Sequence, residues 1–409
     1  MDLSTHDLGL DAARAVDPSD YALGGRTPRH AVRPASRDEV AQVLRAASRD
    51  RLVVVPWGGG GQLARAGAPA RYDVALDLRG LDRVIEYEPE DLTLTAECGI
   101  PIATLAAAVA ARGQELPLES AHPARATLGG VLAMNASGPR RRQLGGPRDR
   151  LLGARFVLGD GTLAHTGGKV VKNVAGHAVH RMLCGSRGTL AVLVEASLKL
   201  LPGPARRRAL VFALPGWALA DPARWAPIPR IEPSWLTVLG REHRGLVSGV
   251  PDTDAIAVVG LEDDGAWVDR QAEIVCDALG APALTLEDAD AIALRARVTD
   301  LPQSLGPVCL RFASPHVTPA ALAPVAHQVW MASAVFHAPS GGLWLATEIA
   351  AASEAVAVLG AHGFTLIDAS PAGVAAPLVA DAAAVPELRA RLRAALDPHG
   401  VLDRGTTSS

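Results

Sequence analysis

The apolar positions along the first part of the chain change their spacing repeatedly, and each change predicts an element. After Ser36, apolar residues recur at intervals of three and four from Val40 to Ala47, which predicts an amphipathic helix. Ser36 with Glu39 three positions later is a capping box, the pattern of a helix N-terminus. The apolar run 52–55 then predicts a short buried strand that leads into four consecutive glycines.

Strand and helix patterns alternate through the next part of the chain. Pro101 opens a predicted helix that Gly113 closes, and Thr127 is placed to cap another helix that begins at Leu128. A turn at Asp160-Gly161 predicts a hairpin. Alternating or continuous apolar patterns predict strands at 73–78, 83–87, 92–97, 154–158, 162–165 and 190–200.

The composition changes after Pro202, where proline, tryptophan and charged residues become mixed. This change places a domain boundary near residue 203. The second half alternates short predicted strands with helices, which is typical of an α+β domain. Its predicted elements are strands at 209–214 and 255–261, helices at 267–279 and from near Thr318, and a final helix at 386–396. The tail that follows is apolar at Val401 and Leu402, so we expect it to dock on the first domain.

Charge and cysteine content exclude several classes of partner. The net charge of the 409-residue chain is -3, with no polybasic run, which argues against nucleic acid or an anionic membrane surface as the main partner. The four cysteines lack metal-site spacing, and the N-terminus lacks a signal-peptide pattern, so we expect a reduced, cytoplasmic protein without a metal site. No apolar run approaches the roughly 18 residues of a membrane span, so any association with the inner membrane would be peripheral and made through partners.

The chemistry of the chain concentrates between Pro123 and Pro202. Glycines, small hydroxyls and an asparagine lie there among apolar residues, together with all three lysines of a chain that has 40 basic residues. This composition suits a backbone that lies against a planar, anionic ligand. The glycine loop 58–61 does not open an amphipathic helix, which excludes a dinucleotide-binding Rossmann motif, and Gly168-Lys169 lacks the Walker A spacing. What remains is a loop whose N–H groups are suited to a pyrophosphate.

A set of motifs in fixed order resembles a known family. They are V-P-W-G-G-G-G-Q, A-T-L-G-G-V-L-A-M-N-A-S-G-P-R-R, D-R-L-L-G-A-R-F-V-L-G-D-G-T, G-G-K-V-V-K-N-V-A-G-H, G-S-R-G-T-L-A-V-L-V-E-A-S-L-K-L-L-P and A-L-D-P-H-G-V-L. The chain is similar to FAD-linked oxidases of the vanillyl-alcohol oxidase and p-cresol methylhydroxylase (PCMH) type, and most similar to the FAD-binding E-type subunits of bacterial glycolate oxidase. The likeness covers roughly residues 20 to 202 and, more weakly, the last twenty.

The resemblance implies an α+β fold with a two-part PCMH-type FAD-binding domain at 1–202, a smaller α+β cap domain at 203–385, and a C-terminal helix and tail at 386–409 that return to the first domain. It also implies the residues that contact FAD. By position in the motifs, these are Gly58, Gly59, Gly60, Gly61, Gln62, Thr127, Leu128, Gly129, Gly130, Asn135, Ser137, Gly138, Lys172, Asn173, Gly176, Gly188, Thr189 and Leu190. No histidine lies in the loop 57–62, where some relatives attach flavin covalently, so we expect non-covalent FAD.

Several positions depart from the family pattern. Similar proteins often have Gly-Tyr-Asp after K-N-V-A, where this chain has Gly176-His177-Ala178, and they commonly have glycine at the position of Ala191. The closing Asn-Pro-Gly-Arg of the family has become Leu402-Asp403-Arg404-Gly405. These changes affect the room beside the flavin and the last expected cofactor contact.

The implied reaction is oxidation of a 2-hydroxy acid by hydride transfer to flavin. A carboxylate substrate needs a cation, for which the candidates are Arg140, Arg141, Arg142 and Arg148, with Arg140 first. A solvated basic turn after Pro139 is the slightly favoured explanation of Arg140 to Arg142. A base needs a group that titrates near neutrality, for which His177 is the candidate beside His180, although a packed or surface histidine is the simpler interpretation. Lys172, expected next to the flavin, is a third catalytic candidate.

The function predicted from these features is the FAD-binding subunit of a glycolate oxidase-like complex. The substrate is a small 2-hydroxy acid, glycolate or D-lactate, and electrons pass to an iron–sulfur subunit, with a second FAD-linked oxidase subunit in the complex. An alternative stays open, because the second half lacks the His-rich H-x-G-D-G-N segment common in catalytic partners of this superfamily. In that alternative the chain is a non-catalytic FAD-binding scaffold or electron relay, and a sister flavoprotein performs the chemistry.

Overall fold

A computed structural model describes residues 8–63, 69–168, 178–303, 305, 308–314, 319–325, 333–348, 351–370 and 384–402. The chain divides into two units, of which the first comprises 1–137, 146–203 and 380–409 and the second comprises 138–145 and 204–379. The domain boundaries expected from the sequence, after residues 202 and 385, stay a prediction. The assignment of residues 138–145 to the second unit is a feature that the sequence pattern did not predict.

The described elements are numbered here in chain order. The strands are β1 (His30–Val32), β2 (Val54–Trp57), β3 (Val74–Asp77), β4 (Val84–Glu88), β5 (Thr93–Glu97), β6 (Gln114–Glu115), β7 (Leu151–Val157), β8 (Leu163–Gly167), β9 (Val192–Lys199), β10 (Leu201–Pro202), β11 (Arg206–Leu214), β12 (Trp235–Gly240), β13 (Ala255–Asp263), β14 (Leu284–Glu287), β15 (Val308–Ala313), β16 (Ala334–His337), β17 (Gly342–Thr347) and β18 (Thr365–Ser370).

The described α-helices are α1 (Arg37–Asp50), α2 (Ile102–Ala110), α3 (Leu128–Met134), α4 (Arg141–Leu144), α5 (Pro147–Arg150), α6 (Val179–Leu183), α7 (Gly216–Ala220), α8 (Pro222–Trp225), α9 (Gly265–Leu279), α10 (Asp288–Asp300), α11 (Ala352–Ala361) and α12 (Ala384–Leu396). Short 3-10 helices lie at Ala12–Arg14, Pro18–Tyr21, Leu78–Gly80, Ile228–Ile231, Arg241–Leu246, Leu301–Gln303, Pro319–Val325 and Ala338–Ser340.

The first unit contains a small parallel sheet and a larger antiparallel one. The parallel sheet has three strands in the order β1-β3-β2, and the antiparallel sheet has five in the order β4-β5-β9-β7-β8. Parallel strands need a crossover connection, and α1 provides one between the two outer strands, β1 and β2, each of which pairs with β3. These two sheets correspond to the two-part FAD-binding domain expected from the sequence.

Helix α1 shows how its sequence specifies its ends. The Ser36 hydroxyl accepts a hydrogen bond from the Glu39 amide at 3.2 Å, while the Glu39 carboxylate accepts one from the Ala35 amide at 2.8 Å. This is a capping box shifted by one residue, because the carboxylate reaches Ala35 rather than Ser36. The helix ends at Arg51, whose φ of 52° lies in the left-handed region. The predicted helix and its start are confirmed.

The C-terminal tail docks on the first unit, as its apolar residues predicted. Val401 and Leu402 are buried in the same cluster as Leu44 of α1 and Val54 of β2. The Val54 amide donates to the Val401 carbonyl oxygen at 2.7 Å. The tail therefore holds the strand that leads into the glycine loop.

The second unit is built on an eight-stranded antiparallel sheet in the order β14-β11-β13-β12-β16-β17-β15-β18. One face buries Phe212, Phe312 and Phe336 against α9, and the opposite face buries Trp235 and Trp344 against α10. The predicted strands at 209–214 and 255–261 and the helix at 267–279 are confirmed in this unit. The helix predicted from near Thr318 begins outside the described residues, and Pro319–Val325 is a 3-10 helix with Pro324 inside it.

Candidate cofactor site

The glycine loop follows a cluster of hydrogen-bonded side chains at the end of β2, which holds the loop in place. Trp57, the last residue of β2, donates from Nε1 to the Tyr72 hydroxyl at 2.6 Å and packs edge-on against Tyr21 at 5.1 Å. On the neighbouring strand β3, Asp77 is fully buried and accepts a hydrogen bond from the Tyr21 hydroxyl at 2.7 Å. Burial opposes ionisation of Asp77, but the hydrogen bonds that it accepts, first from Arg79, outweigh burial, so its pKa lies below the ordinary value.

The structure brings the glycine loop against the segment that precedes α3. A Cβ at Gly58 would lie 2.1 Å from the Thr127 hydroxyl oxygen, and one at Gly59 would lie 1.8 Å from the Arg125 carbonyl oxygen. Both distances are far below van der Waals contact, so only glycine fits at these positions. Arg125 Nη2 also donates a hydrogen bond to the Gly59 carbonyl oxygen at 3.3 Å. Two stretches of chain that are 66 residues apart in sequence thus meet here.

The loop has the donors that a diphosphate requires. The amide N–H groups of Gly59, Gly60, Gly61 and Gln62 donate to no acceptor within the described residues. Gly60 has a φ of +77°, the left-handed conformation found in backbone anion nests. The loop residues are half-buried, and Gly61 is exposed, so a ligand can reach them. The residues present therefore fit the pyrophosphate of FAD.

The second predicted cofactor segment, 127–130, has its amides arranged differently. Thr127 caps α3 by accepting from the Gly130 amide at 3.3 Å, which confirms its predicted capping role. The amides of Leu128 and Gly129 donate to the carbonyl oxygens of Ile100, at 3.0 Å, and Cys98, at 2.7 Å. These two amides are therefore already bonded within the protein. Contacts of this loop with FAD stay a prediction and would be made by other atoms.

Gly129 also has a packing role. A Cβ at this position would lie 3.0 Å from both the Cβ and the carbonyl oxygen of Cys98. Cys98 is buried, and burial raises the pKa of its thiol. Glycine at 129 thus lets α3 approach the end of β5, in addition to any role at the cofactor.

The third predicted cofactor segment docks on the end of α3. The amides of Gly185 and Arg187 donate to the carbonyl oxygens of Leu132, at 3.1 Å, and Ala133, at 2.8 Å. Asn135 ends α3 in the left-handed conformation, with a φ of 48°. The structure therefore brings Gly185, which begins the turn that leads to Gly188, Thr189 and Leu190, next to Asn135. Ser137 is the last residue of this stretch before the chain enters the second unit at Gly138.

The predicted catalytic residues are only partly described. Lys172, Asn173, Gly176 and His177 lie outside the described residues. Arg140 belongs to the second unit, is 3% exposed, and donates from Nη1 to Glu262 Oε2 at 2.9 Å. Sequence reasoning missed this buried partner. The role of Arg140 toward a substrate carboxylate stays a prediction, and its guanidinium is already engaged in an ion pair.

His180, weighed beside His177 as a base, is buried in the first unit. Its backbone amide donates to the Thr166 hydroxyl at 2.9 Å, and its Nδ1 lies 3.1 Å from the same hydroxyl. Burial, and next the charge of Arg181, lower the pKa of His180. This is the arrangement of a packed histidine.

The described residues contain no group of three or more His, Cys, Asp or Glu side chains that could hold a metal ion. In the same part of the chain, no helix is both long and apolar enough to span a bilayer.

Comparison with known proteins relates part of the chain to an FAD binding domain. Residues 28–167 match the family model described as an FAD binding domain. The chain is 30% identical over 254 residues to glycolate oxidase subunit GlcD of Bacillus subtilis (strain 168), covering 60% of this chain and 54% of that protein. It is 44% identical over 130 residues to glycolate oxidase subunit GlcE of Escherichia coli (strain K12), covering 32% of this chain and 37% of that protein.

Another relative extends the set, and all three matches are partial. The chain is 32% identical over 209 residues to D-2-hydroxyglutarate dehydrogenase of Xanthomonas citri pv. viticola (strain LMG 965 / NCPPB 2475 / ICMP 3867 / CFBP 7660), covering 51% of this chain and 43% of that protein. The chain thus spans about half or less of the length of these relatives.

Solved structures extend the likeness in fold to both units. p-Cresol methylhydroxylase with substrate bound superposes with a TM-score of 0.73 at 15% identity, covering 97% of this chain and 95% of that chain. The 4-ethylphenol oxidase from Gulosibacter chungangensis gives a TM-score of 0.74 at 15% identity, with the same coverage. The α+β fold of PCMH type predicted from the sequence is confirmed, and residues 28–167 match the model of an FAD binding domain.

Proposed function

We propose that the chain is the FAD-binding subunit of an enzyme that oxidises a small 2-hydroxy acid, glycolate or D-lactate. The observation that carries the proposal is the glycine loop 58–62, in which the amide N–H groups of residues 59–62 lack acceptors among the described residues, within a segment that matches the model of an FAD binding domain. The names of the relatives supply the substrate class, since they include glycolate oxidase subunits and a D-lactate dehydrogenase.

The residues of the chain have distinct tasks in this proposal. The amides of 59–62 bind the diphosphate, and Gly58 and Gly59 allow the loop to lie against Arg125 and Thr127. Asn135 and the turn at 188–190 line the flavin. Bound FAD supplies the acceptor for the hydride that leaves the α-carbon of the substrate. His177 and Lys172 remain the candidates to take the hydroxyl proton.

The mode of cofactor binding and the partners complete the proposal. FAD is bound non-covalently, because the loop at 57–62 contains no side chain of the histidine type that attaches flavin. Electrons pass from the flavin to an iron–sulfur subunit, and a second FAD-linked oxidase subunit belongs to the same complex. We propose a cytoplasmic location, with any membrane association made through partners.

Anaerobic reduction of the flavin tests the proposal. The FAD-loaded protein, alone and co-purified with its partner subunits, is mixed with glycolate or D-lactate while the flavin absorbance is recorded. Bleaching by these acids, and none by acetate, which lacks the hydroxyl group, is the expected result. Bleaching only in the presence of a sister flavoprotein supports the relay function instead. A complex whose flavin neither acid reduces contradicts 2-hydroxy-acid oxidation.

A further inference from the structure

Strand β11 begins with three consecutive arginines whose environments differ. Arg206 and Arg208 share one face, where both pair with Asp269 at 2.9 Å and with Glu287, at 3.3 Å for Arg206 and 2.6 Å for Arg208. Two cations and two carboxylates therefore balance on that face. Because side chains alternate along a strand, Arg207 points to the opposite face.

On that opposite face, Arg207 lies directly across from Glu262 of β13 in the antiparallel register. The Glu262 carboxylate is almost fully buried, with 4% of its side chain exposed. Its Oε2 accepts from Arg140 Nη1 at 2.9 Å, and its Oε1 accepts from Arg295 Nη1. Ser234, which hydrogen-bonds the backbone of Glu262 at 3.0 and 3.3 Å, fixes this residue further. Each carboxylate oxygen thus already has a guanidinium partner.

Arg207 is the third guanidinium beside this one carboxylate, and it is outside hydrogen-bonding reach. Its Nε is 3.7 Å from Glu262 Oε2 and, although buried, has no hydrogen-bond partner among the described residues. Asp288 accepts a bond from the backbone amide of Arg207, at 3.1 Å, and not from its side chain. A buried donor without an acceptor is costly, and no side chain of the described residues accepts a hydrogen bond from Arg207 Nε to offset this cost.

Access to the cluster also increases toward Arg207. The exposed fraction of the side chain is 3% for Arg140, 13% for Arg295 and 23% for Arg207. Arg140 and Arg295 make further polar contacts within the chain, so a ligand site at this cluster depends on Arg207. The side chain of Arg207 is partly exposed, and a guanidinium has the fork geometry that binds a carboxylate through two parallel hydrogen bonds.

We infer that Arg207 forms a binding site for a small carboxylate in the second unit, with Glu262, Arg140 and Arg295 holding the cluster in position. The inference rests on the proposed function for its ligand, because a 2-hydroxy acid is the carboxylate that this function supplies.

Calorimetric titration of the full-length, FAD-loaded protein with oxalate tests the site, because flavin cannot oxidise oxalate as it would a 2-hydroxy acid. The titration is made at constant ionic strength on wild type, Arg207→Gln and Arg206→Gln. The matched control removes the same charge from the same strand but leaves Glu262 and its partners untouched. We expect Arg207→Gln to weaken oxalate binding at least tenfold and Arg206→Gln to change it less than twofold. Arg207→Lys, which keeps the charge and loses the fork, is expected to be intermediate and also serves if Arg207→Gln does not fold.

Three results would overturn the site: no oxalate binding by the wild type, unchanged binding by Arg207→Gln, or equal weakening in the Arg206 control. These outcomes are separate from failure of the proposed function. If glycolate reduces the flavin but oxalate binding does not depend on Arg207, the proposed site is wrong and the proposed function stands. If oxalate binding depends on Arg207 but no hydroxy acid reduces the flavin of the complex, the proposed site stands and the proposed function is wrong.

Discussion

The side chain of Asp397 connects the C-terminal tail to the first unit, and its removal is a sharp test of the packing described above. The carboxylate follows α12 and is 4% exposed. Its Oδ1 accepts from the Val401 amide at 2.9 Å, and its Oδ2 accepts from the Leu402 amide at 2.8 Å. A Cβ at Gly159 would lie 2.0 Å from Oδ1, so the hairpin turn after β7 lies against the carboxylate.

Replacing this residue with alanine leaves two buried amides without acceptors. A hydrogen bond to a charged group contributes about 1.5 to 3 kcal/mol, so Asp397→Ala is expected to lower the free energy of unfolding by about 3 to 5 kcal/mol, since the two bonds share one carboxylate. That loss is a large part of the total stability of a domain, which is about 5 to 15 kcal/mol. Asp397→Asn keeps one acceptor oxygen and is expected to lose about half as much.

Urea unfolding followed by circular dichroism provides the measurement. The matched control is Asp160→Ala. The Asp160 carboxylate also accepts a hydrogen bond from a backbone amide, that of Thr162 at 2.8 Å, but it does so on the exposed surface. The control is expected to lose less than about 1 kcal/mol. Because the Val54 amide donates to the Val401 oxygen, FAD should also dissociate faster from Asp397→Ala. If Asp397→Ala is as stable as its control, the tail does not hold the first unit in the way described.

Further predictions concern the glycine loop, a buried histidine and a buried thiol. Gly59→Ala places a methyl group 1.8 Å from the Arg125 oxygen and is expected to weaken FAD binding at least tenfold in a fluorescence titration, while Gly245→Ala, with nothing within 4 Å of the added Cβ, should bind FAD normally. Burial lowers the pKa of His337 to about 3 in the folded protein. Between this value and the unfolded value, His337 is therefore protonated in the unfolded protein and neutral in the folded protein. Stability is then lost as the pH falls below the unfolded value of about 6.5, by about 2 kcal/mol between pH 7 and pH 5, and His337→Gln should remove that part of the pH dependence. Burial raises the pKa of the Cys98 thiol, so iodoacetamide should leave Cys98 unlabelled in the native protein and label it after denaturation, and rapid native labelling would argue against its burial.

Local patterns in the sequence predicted most of the first unit. The capping residues Ser36 and Thr127 and the turn at Asp160-Gly161 are confirmed, because each acts through bonds to neighbours two to four residues away. The apolar tail at Val401 and Leu402 was also predicted to dock, since removing the apolar surface of two adjacent large side chains from water is favourable.

Long-range contacts explain what the sequence did not predict. The Arg140 pair with Glu262 joins residues 122 positions apart, and no periodicity marks it. The glycine motif at Gly129 resembles a ligand-binding motif, but its described neighbours are backbone and side-chain atoms of Cys98, 31 positions before it. The three arginines from 206 to 208 look alike in sequence, and only the strand register separates the one beside Glu262 from the two that are balanced.

Binding of FAD to the purified chain is the most direct test of the central claim, that the amides of the glycine loop hold its diphosphate. Apo-protein is titrated with FAD, and separately with riboflavin, which has the same ring system and no phosphate, while flavin fluorescence is followed. We predict saturable binding of one FAD per chain and binding of riboflavin that is weaker by at least two orders of magnitude, since charge-assisted bonds to a diphosphate supply most of the affinity. Equal affinity for the two flavins, or no binding of FAD, would contradict the account.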